Sequence, residues 1–176
     1  DLDDAGNLTS GGGGTQTIDL TGAARTLRST NIPNPISVSV SGTYTLAGRT
    51  VVTDLLMGTG GDIAVNGQTL AVGNLFNTTA GGTLTMTNPL DSVLVTGTAN
   101  FGGGATTGRL TAGVLQVGGS LTQSGNSAAL AASGTHMRGY PKGFATSFVM
   151  VLYQSRFDWM AWRTSAALSV DESMAR

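Results

Sequence analysis

Residues 61–86 read Gly61-Asp62-Ile63-Ala64-Val65-Asn66-Gly67-Gln68-Thr69-Leu70-Ala71-Val72-Gly73-Asn74-Leu75-Phe76-Asn77-Thr78-Thr79-Ala80-Gly81-Gly82-Thr83-Leu84-Thr85-Met86, and the last five repeat the first five in kind. Gly61-x-Ile63-x-Val65 returns as Gly82-x-Leu84-x-Met86, an interval of 21. The same interval relates Gly60-Gly61, Gly81-Gly82 and Gly102-Gly103, the valines Val51, Val72 and Val93, and Leu55 with Phe76. A period of about 20 residues is too short for a globular unit and has the length of one coil of a β-solenoid. The runs inside it, Ile63-Ala64-Val65 and Leu70-Ala71-Val72, alternate with period two, so their large residues share one face. One such run cannot bury that face. Stacked in register on the run one coil before and one coil after, it can, and the backbone groups then pair between coils. Asn66-Gly67 is a strong turn pair, and the recurrent glycines read as corners.

Working outward, alternation resumes at Thr15-Gln16-Thr17-Ile18-Asp19-Leu20, Ile36-Ser37-Val38-Ser39-Val40 and Thr43-Tyr44-Thr45-Leu46, with Tyr44 lying one such interval before Val65. The prolines of Asn31-Ile32-Pro33-Asn34-Pro35 place a loop between two of these strands. Past Gly103 the period drifts: the interval from Leu70 to Leu115 is 45, close to two coils, and an insertion at the corner Gly102 to Gly104 accounts for the slip. The expected fold is all-β, a right-handed parallel β-solenoid of five or six coils of about 21 residues, with a β-sandwich of short strands as the alternative. Three regions follow: a flexible leader, 1–14; the repeat domain, 15–137; and an aromatic-rich tail, 138–176.

That tail holds seven of the ten aromatic residues, the one lysine, Lys142, and the one glutamate, Glu172. It reads either as an amphipathic helical cap, spaced over residues 147–168, that would close the solenoid end, or as out-of-frame or appended sequence foreign to the repeat.

Composition narrows the function. The chain has 176 residues, 27 glycines, 11% charged residues and a formal net charge of −1. This removes the electrostatic footprint of a nucleic-acid binder. With no cysteine, disulfides and Cys-ligated metals are excluded. No signal-peptide pattern is visible at Asp1, which is the expectation for a chain whose signal was removed or that was cut from something longer, and there is no run of 18 apolar residues to span a membrane.

Candidate chemistry is sparse. His136 is the only histidine and has no acidic neighbour in sequence. Asp54, Asp62 and Asp91 invite comparison with the clustered carboxylates of polysaccharide-cleaving β-helices, but their spacings of eight and 29 do not stack them, so they read as turn residues. Asp1, Asp3 and Asp4 read as a solvated terminus rather than a calcium site. Thr83/Thr85/Thr87 and Thr106/Thr107 are candidates for a flat Thr ladder of the ice- or glycan-binding kind, although the preceding coil carries Asp62, Ala64 and Asn66 where threonines would repeat. No catalytic, cofactor-binding or metal residue is assigned, and no cofactor.

The run from Val65 to Leu75, its later copy Leu115 to Leu121, and Gly134-Thr135-His136 resemble the passenger-type β-solenoids of large bacterial surface proteins, the filamentous-haemagglutinin and autotransporter-adhesin class, over about residues 15–137. The resemblance implies a secreted or outer-membrane-associated cell-surface protein serving adhesion, display or extension. It implies no enzyme activity; its partners would be host or environmental surface glycans or proteins, with self-association through open solenoid ends. A glycan- or ice-binding module and a polysaccharide-active enzyme are the alternative functions.

Overall fold

The computed structural model describes residues 2–4, 16–30 and 36–139. Thirteen strands follow one another, with no helix among the described residues: β1 (Leu2–Asp4), β2 (Gln16–Leu20), β3 (Arg25–Ser29), β4 (Ile36–Val40), β5 (Thr43–Met57), β6 (Asp62–Ala64), β7 (Thr69–Asn77), β8 (Thr83–Thr85), β9 (Ser92–Val95), β10 (Thr98–Phe101), β11 (Val114–Val117), β12 (Leu121–Gln123) and β13 (His136–Gly139). Each described strand pairing is parallel. The chain is a β-solenoid of about five coils, roughly 21 residues apart.

Three ladders run along the stack. The first joins β2, β4, the end of β5, the end of β7, β10 and β12. The second joins the starts of β3 and β5 to β6 and β8, and isolated bridges from Met86 to Leu110 and from Leu110 to Ala132 prolong it. The third passes from β3 through the middle of β5 to β7, β9, β11 and β13. Each coil contributes a few residues to a ladder, as a short strand, a stretch of a longer one such as β5, or an isolated bridge; their partners lie above and below, not beside them in sequence.

Alternation makes the core. In the first ladder Val38, Leu55, Phe76 and Ala99 stack, all fully buried. In the second, Tyr44, Ile63 and Leu84 stack, and Leu27 lies under Leu46. In the third, Leu70, Val93 and Leu115 form one column, and Val52, Val72, Val95 and Val117 the next. Burying each Val, Leu, Ile or Phe side chain among them contributes about 1.5–3 kcal/mol. Phe76 and Phe101 pack with ring centroids 5.2 Å apart and tilted by 39°, an arrangement between stacked and edge-to-face. Phe76 lies over the small Ala99, while Phe101 lies beneath Thr78, whose N–H is bonded to Asn100 O next to it. At these two positions a large residue in one coil faces a smaller one in the next.

The register departs from a uniform 21 in an informative way. Asp62 pairs with Thr83, an offset of 21, but Leu70 pairs with Val93, an offset of 23, and Ser92 with Val114, an offset of 22. The extra length sits at the corner Thr87–Asp91, which replaces the tighter Asn66-Gly67-Gln68 of the preceding coil and exceeds it by two. A further residue enters between Phe101 and Leu110, since Met86 bridges to Leu110 at an offset of 24. The slip that the sequence places at Gly102 to Gly104 is therefore mostly at the Asn88-Pro89 corner, where proline fixes a longer turn. Val51, Val72 and Val93 do not stack: Val51 pairs with Ala71 at an offset of 20, upstream of that corner, and across it Val72 pairs with Val95 and Val93 with Leu70. Tyr44 likewise stacks on Ile63, not on Val65.

Part of the leader is strand: Leu2, Asp3 and Asp4 pair with Leu27, Arg28 and Ser29. Main-chain pairing onto an open ladder edge needs no hydrophobic run, so an acidic, glycine-flanked segment can supply it. The last ladder runs to Gly139, which pairs with Val117, just beyond the boundary expected at Met137. The helix compatible with 147–168, the loop at 31–35 and the remainder of the leader and tail lie outside the described residues.

The glycine corners repeat as expected. Gly104 N–H donates to Gly82 O at 3.1 Å, and Thr83 N–H to Gly61 O at 2.8 Å. A Cβ at Gly103 would lie inside 3.0 Å of Thr78 O and of both Gly82 O and N. Glycine is required there for close approach of neighbouring coils, not for a special φ.

Candidate functional site

A cluster of polar side chains on the outer surface spans three coils of the second ladder. Alternation turns Asp62 outward from β6, because Ile63 beside it points into the core. The register then sets Thr83 on Asp62 and Thr85 on Ala64. One coil further, the turn Thr106–Arg109, closed by Arg109 N–H to Thr106 O at 2.9 Å with Gly108 at φ 72°, delivers Arg109 immediately before the core residue Leu110. Thr106 anchors that turn from inside: it is 1% exposed and its hydroxyl reaches Ala129 O at 3.2 Å.

In this cluster the Arg109 guanidinium meets Asp62 Oδ2 at 2.8 Å and donates to Thr85 Oγ1 at 2.9 Å. Thr83 and Thr85 hydroxyls donate to Asp62 Oδ1 at 3.1 and 3.2 Å. Both carboxylate oxygens are thus engaged, and Thr85 both accepts and donates. The ion pair is partly open to water, with side chains 41% (Arg109) and 26% (Asp62) exposed. One carboxylate held by a guanidinium and two hydroxyls makes a clamp between coils. It does not supply the paired carboxylates of glycoside hydrolysis or a nucleophile with its base.

The other two aspartates serve their own corners. Asp54 faces outward in the first ladder, where Oδ1 accepts from Asn74 Nδ2 at 2.8 Å and Leu75 N–H at 3.1 Å, and Oδ2 lies 3.3 Å from Ser37 Oγ. It thereby spans the register shift between Val52 and Asp54, which the extra residue at Gly73-Asn74 creates. Asp91 is 2% exposed and accepts from the backbone N–H groups of Gly67 and Asn88. Asp54, Asp62 and Asp91 therefore belong to the first ladder, the second ladder and the corner before the third. Among the described residues no group of three or more His, Cys, Asp or Glu could hold a metal.

The remaining candidates are dispersed. His136 opens β13 and pairs with Val114, and Asp3 and Asp4 lie in β1. Thr83 and Thr85 are committed to Asp62 and Arg109, Thr106 is buried and Thr107 exposed, so these threonines form no flat outward array. The Arg109–Asp62 contact had no sequence signal, since 47 residues separate the partners; the stacking of Thr83 on Asp62 did, at the repeat interval. No helix among the described residues is long and apolar enough to cross a membrane. No protein-family model, curated protein or solved structure matches the chain.

Proposed function

We propose that this chain is a non-catalytic structural or adhesive segment, a rigid repeat stalk of a secreted or cell-surface bacterial protein. The observation that carries the reading is what three aspartates of the repeat domain do. Asp54, Asp62 and Asp91 each tie their own coil to another through hydrogen bonds to hydroxyl, amide or backbone groups. Side chains that an enzyme would leave free for substrate are occupied here in holding coil to coil. The uninterrupted third ladder, continuing from β3 to β13, gives such a segment length without a separate globular core. Its partners on this reading are host or environmental surface glycans or proteins, with end-to-end association through the outer edges of β2 and β12, each of which pairs on one side only among the described strands.

Protease shaving of intact cells that make the protein tests the location, and incubation of the purified chain with uronate polymers tests the absence of catalysis. The stalk reading expects repeat-domain peptides in the shaved fraction and no cleavage of polymer. Peptides recovered only after lysis, or turnover lost on Asp62→Asn, would sink it.

A further inference from the structure

The turn from Val65 to Gln68 contains two left-handed residues in succession, Asn66 at φ 56° and Gly67 at φ 76°, and Gln68 N–H closes it onto Val65 O at 3.1 Å. Positive φ at both central positions is the type I′ geometry that Asn-Gly favours. Asn66 is exposed. Asparagine followed by glycine is also the pair most prone to deamidation, because the unhindered glycine nitrogen can reach the asparagine side-chain carbonyl carbon. Here that nitrogen is engaged: Gly67 N–H donates to Asp91 Oδ1, from a carboxylate buried in the next coil whose other oxygen accepts Asn88 N–H at 2.9 Å.

We infer that Asn66-Gly67 is a latent deamidation site that the Asp91 carboxylate holds closed. In the reaction the Gly67 nitrogen attacks Asn66 Cγ and loses its proton to water. The Cγ–Nδ2 bond breaks and ammonia leaves, giving a cyclic imide. Water then opens the ring at either carbonyl to yield aspartate or isoaspartate at position 66. Water is the only co-reactant, and nothing is oxidised or reduced.

Asp91 opposes the first step in two ways. Attack requires rotation about the Asn66 Cα–C bond to bring the nitrogen onto Cγ, and that rotation breaks both the Gly67–Asp91 bond and the Gln68–Val65 bond; reaction rates fall steeply when reacting atoms are held off line. The fixed negative charge also disfavours the anion that forms as Gly67 loses its proton. A carboxylate is too weak a base to remove an amide proton, so its presence restrains the turn without assisting the chemistry. The inserted corner Thr87–Asp91 thereby acquires a role: its extra length brings Asp91 back over the turn of the coil before it.

The test is incubation of the full chain at mildly alkaline pH, with peptide mapping by mass spectrometry and isoaspartate detection at position 66. The folded wild type should convert at least about tenfold more slowly than the same chain in urea. Asp91→Asn, close in shape, and Asp91→Ala should accelerate conversion several-fold while the variants still melt cooperatively by circular dichroism; Asn126-Ser127, exposed and followed by a small residue, serves as the comparison site within the chain. Equal rates in the folded and urea-treated wild type would overturn the inference. So would folded Asp91 variants that deamidate at the wild-type rate or more slowly, and so would loss of the cooperative melt in both variants, which would make Asp91 a determinant of the whole fold and not of the turn.

Discussion

A methyl group at Gly103 would overlap the backbone of the coil next to it, whereas one at Gly58 would meet Val40 O at 3.7 Å and Ser41 Cβ at 3.9 Å, ordinary contact distances. Gly103→Ala should therefore destabilise the protein by about 1–3 kcal/mol through forced displacement. Gly58→Ala should be neutral or stabilising by about 0.4–1 kcal/mol, because it restricts the unfolded chain; urea denaturation of both variants checks the contrast. Arg109→Ala addresses the clamp. Water can reach Asp62, so the loss should be only about 0.2–1 kcal/mol, and the difference from wild type should shrink as salt screens the pair. A cost above that range, unchanged by salt, would mean that Arg109 acts chiefly through packing of its stem. The glycine interval was legible in the sequence because close approach imposes the same requirement on every coil. The clamp was not, since Arg109 comes from an irregular turn whose position depends on two upstream insertions.

Among elements, β7 has the most demanding environment. It runs through two ladders, turns outward at Gly73 and Asn74, and places Leu70, Val72 and Phe76 in the core. Phe76 fills the space left by Ala99 and touches Phe101, so Phe76→Ala opens a cavity that neighbours fixed by backbone pairing can scarcely close. The expected cost is about 3–5 kcal/mol, read as a lower denaturation midpoint. Enlarging the neighbour, Ala99→Leu, should overpack the same space and cost about 1–3 kcal/mol. A stabilised Ala99→Leu variant would show that the column holds spare room. Strands β2, β4 and the start of β5 could be read directly from alternation, because inward and outward positions differ in polarity. Strand β1 could not: Leu2-Asp3-Asp4 carries charge, and its place is set by backbone pairing to β3. The extension at Thr87–Asp91 was misplaced for a similar reason, since repeated glycines mark a corner without revealing its length.

At the scale of the molecule, the stack behaves as a register, and whole coils are its interchangeable unit. Ser92 and Val114 occupy equivalent positions, one coil apart. Deleting residues 92–113 joins Asp91 to Val114, and Thr69 then meets Val114 as it met Ser92. That shortened chain should retain a β-rich circular dichroism spectrum and a cooperative melt, because stability is nearly a sum over coils and their contacts. Deleting half as many residues should abolish folding, since every later strand would leave its ladder and present the wrong face. The period was legible because this equivalence acts on sequence directly, although the individual intervals of 17 to 25 were not. The ladder bonds lie along the stacking direction, which decides how the molecule would answer a pull on its two ends. Tension would open one coil's bonds at a time from a terminus, like a zip, instead of loading all of them together. A coil occupies about 4.8 Å of axis but spans roughly 75 Å once its chain is drawn out. Each coil that peels away would thus let out about fifteen times the length it had held, a stepwise extension that absorbs a jerk while the coils below stay wound.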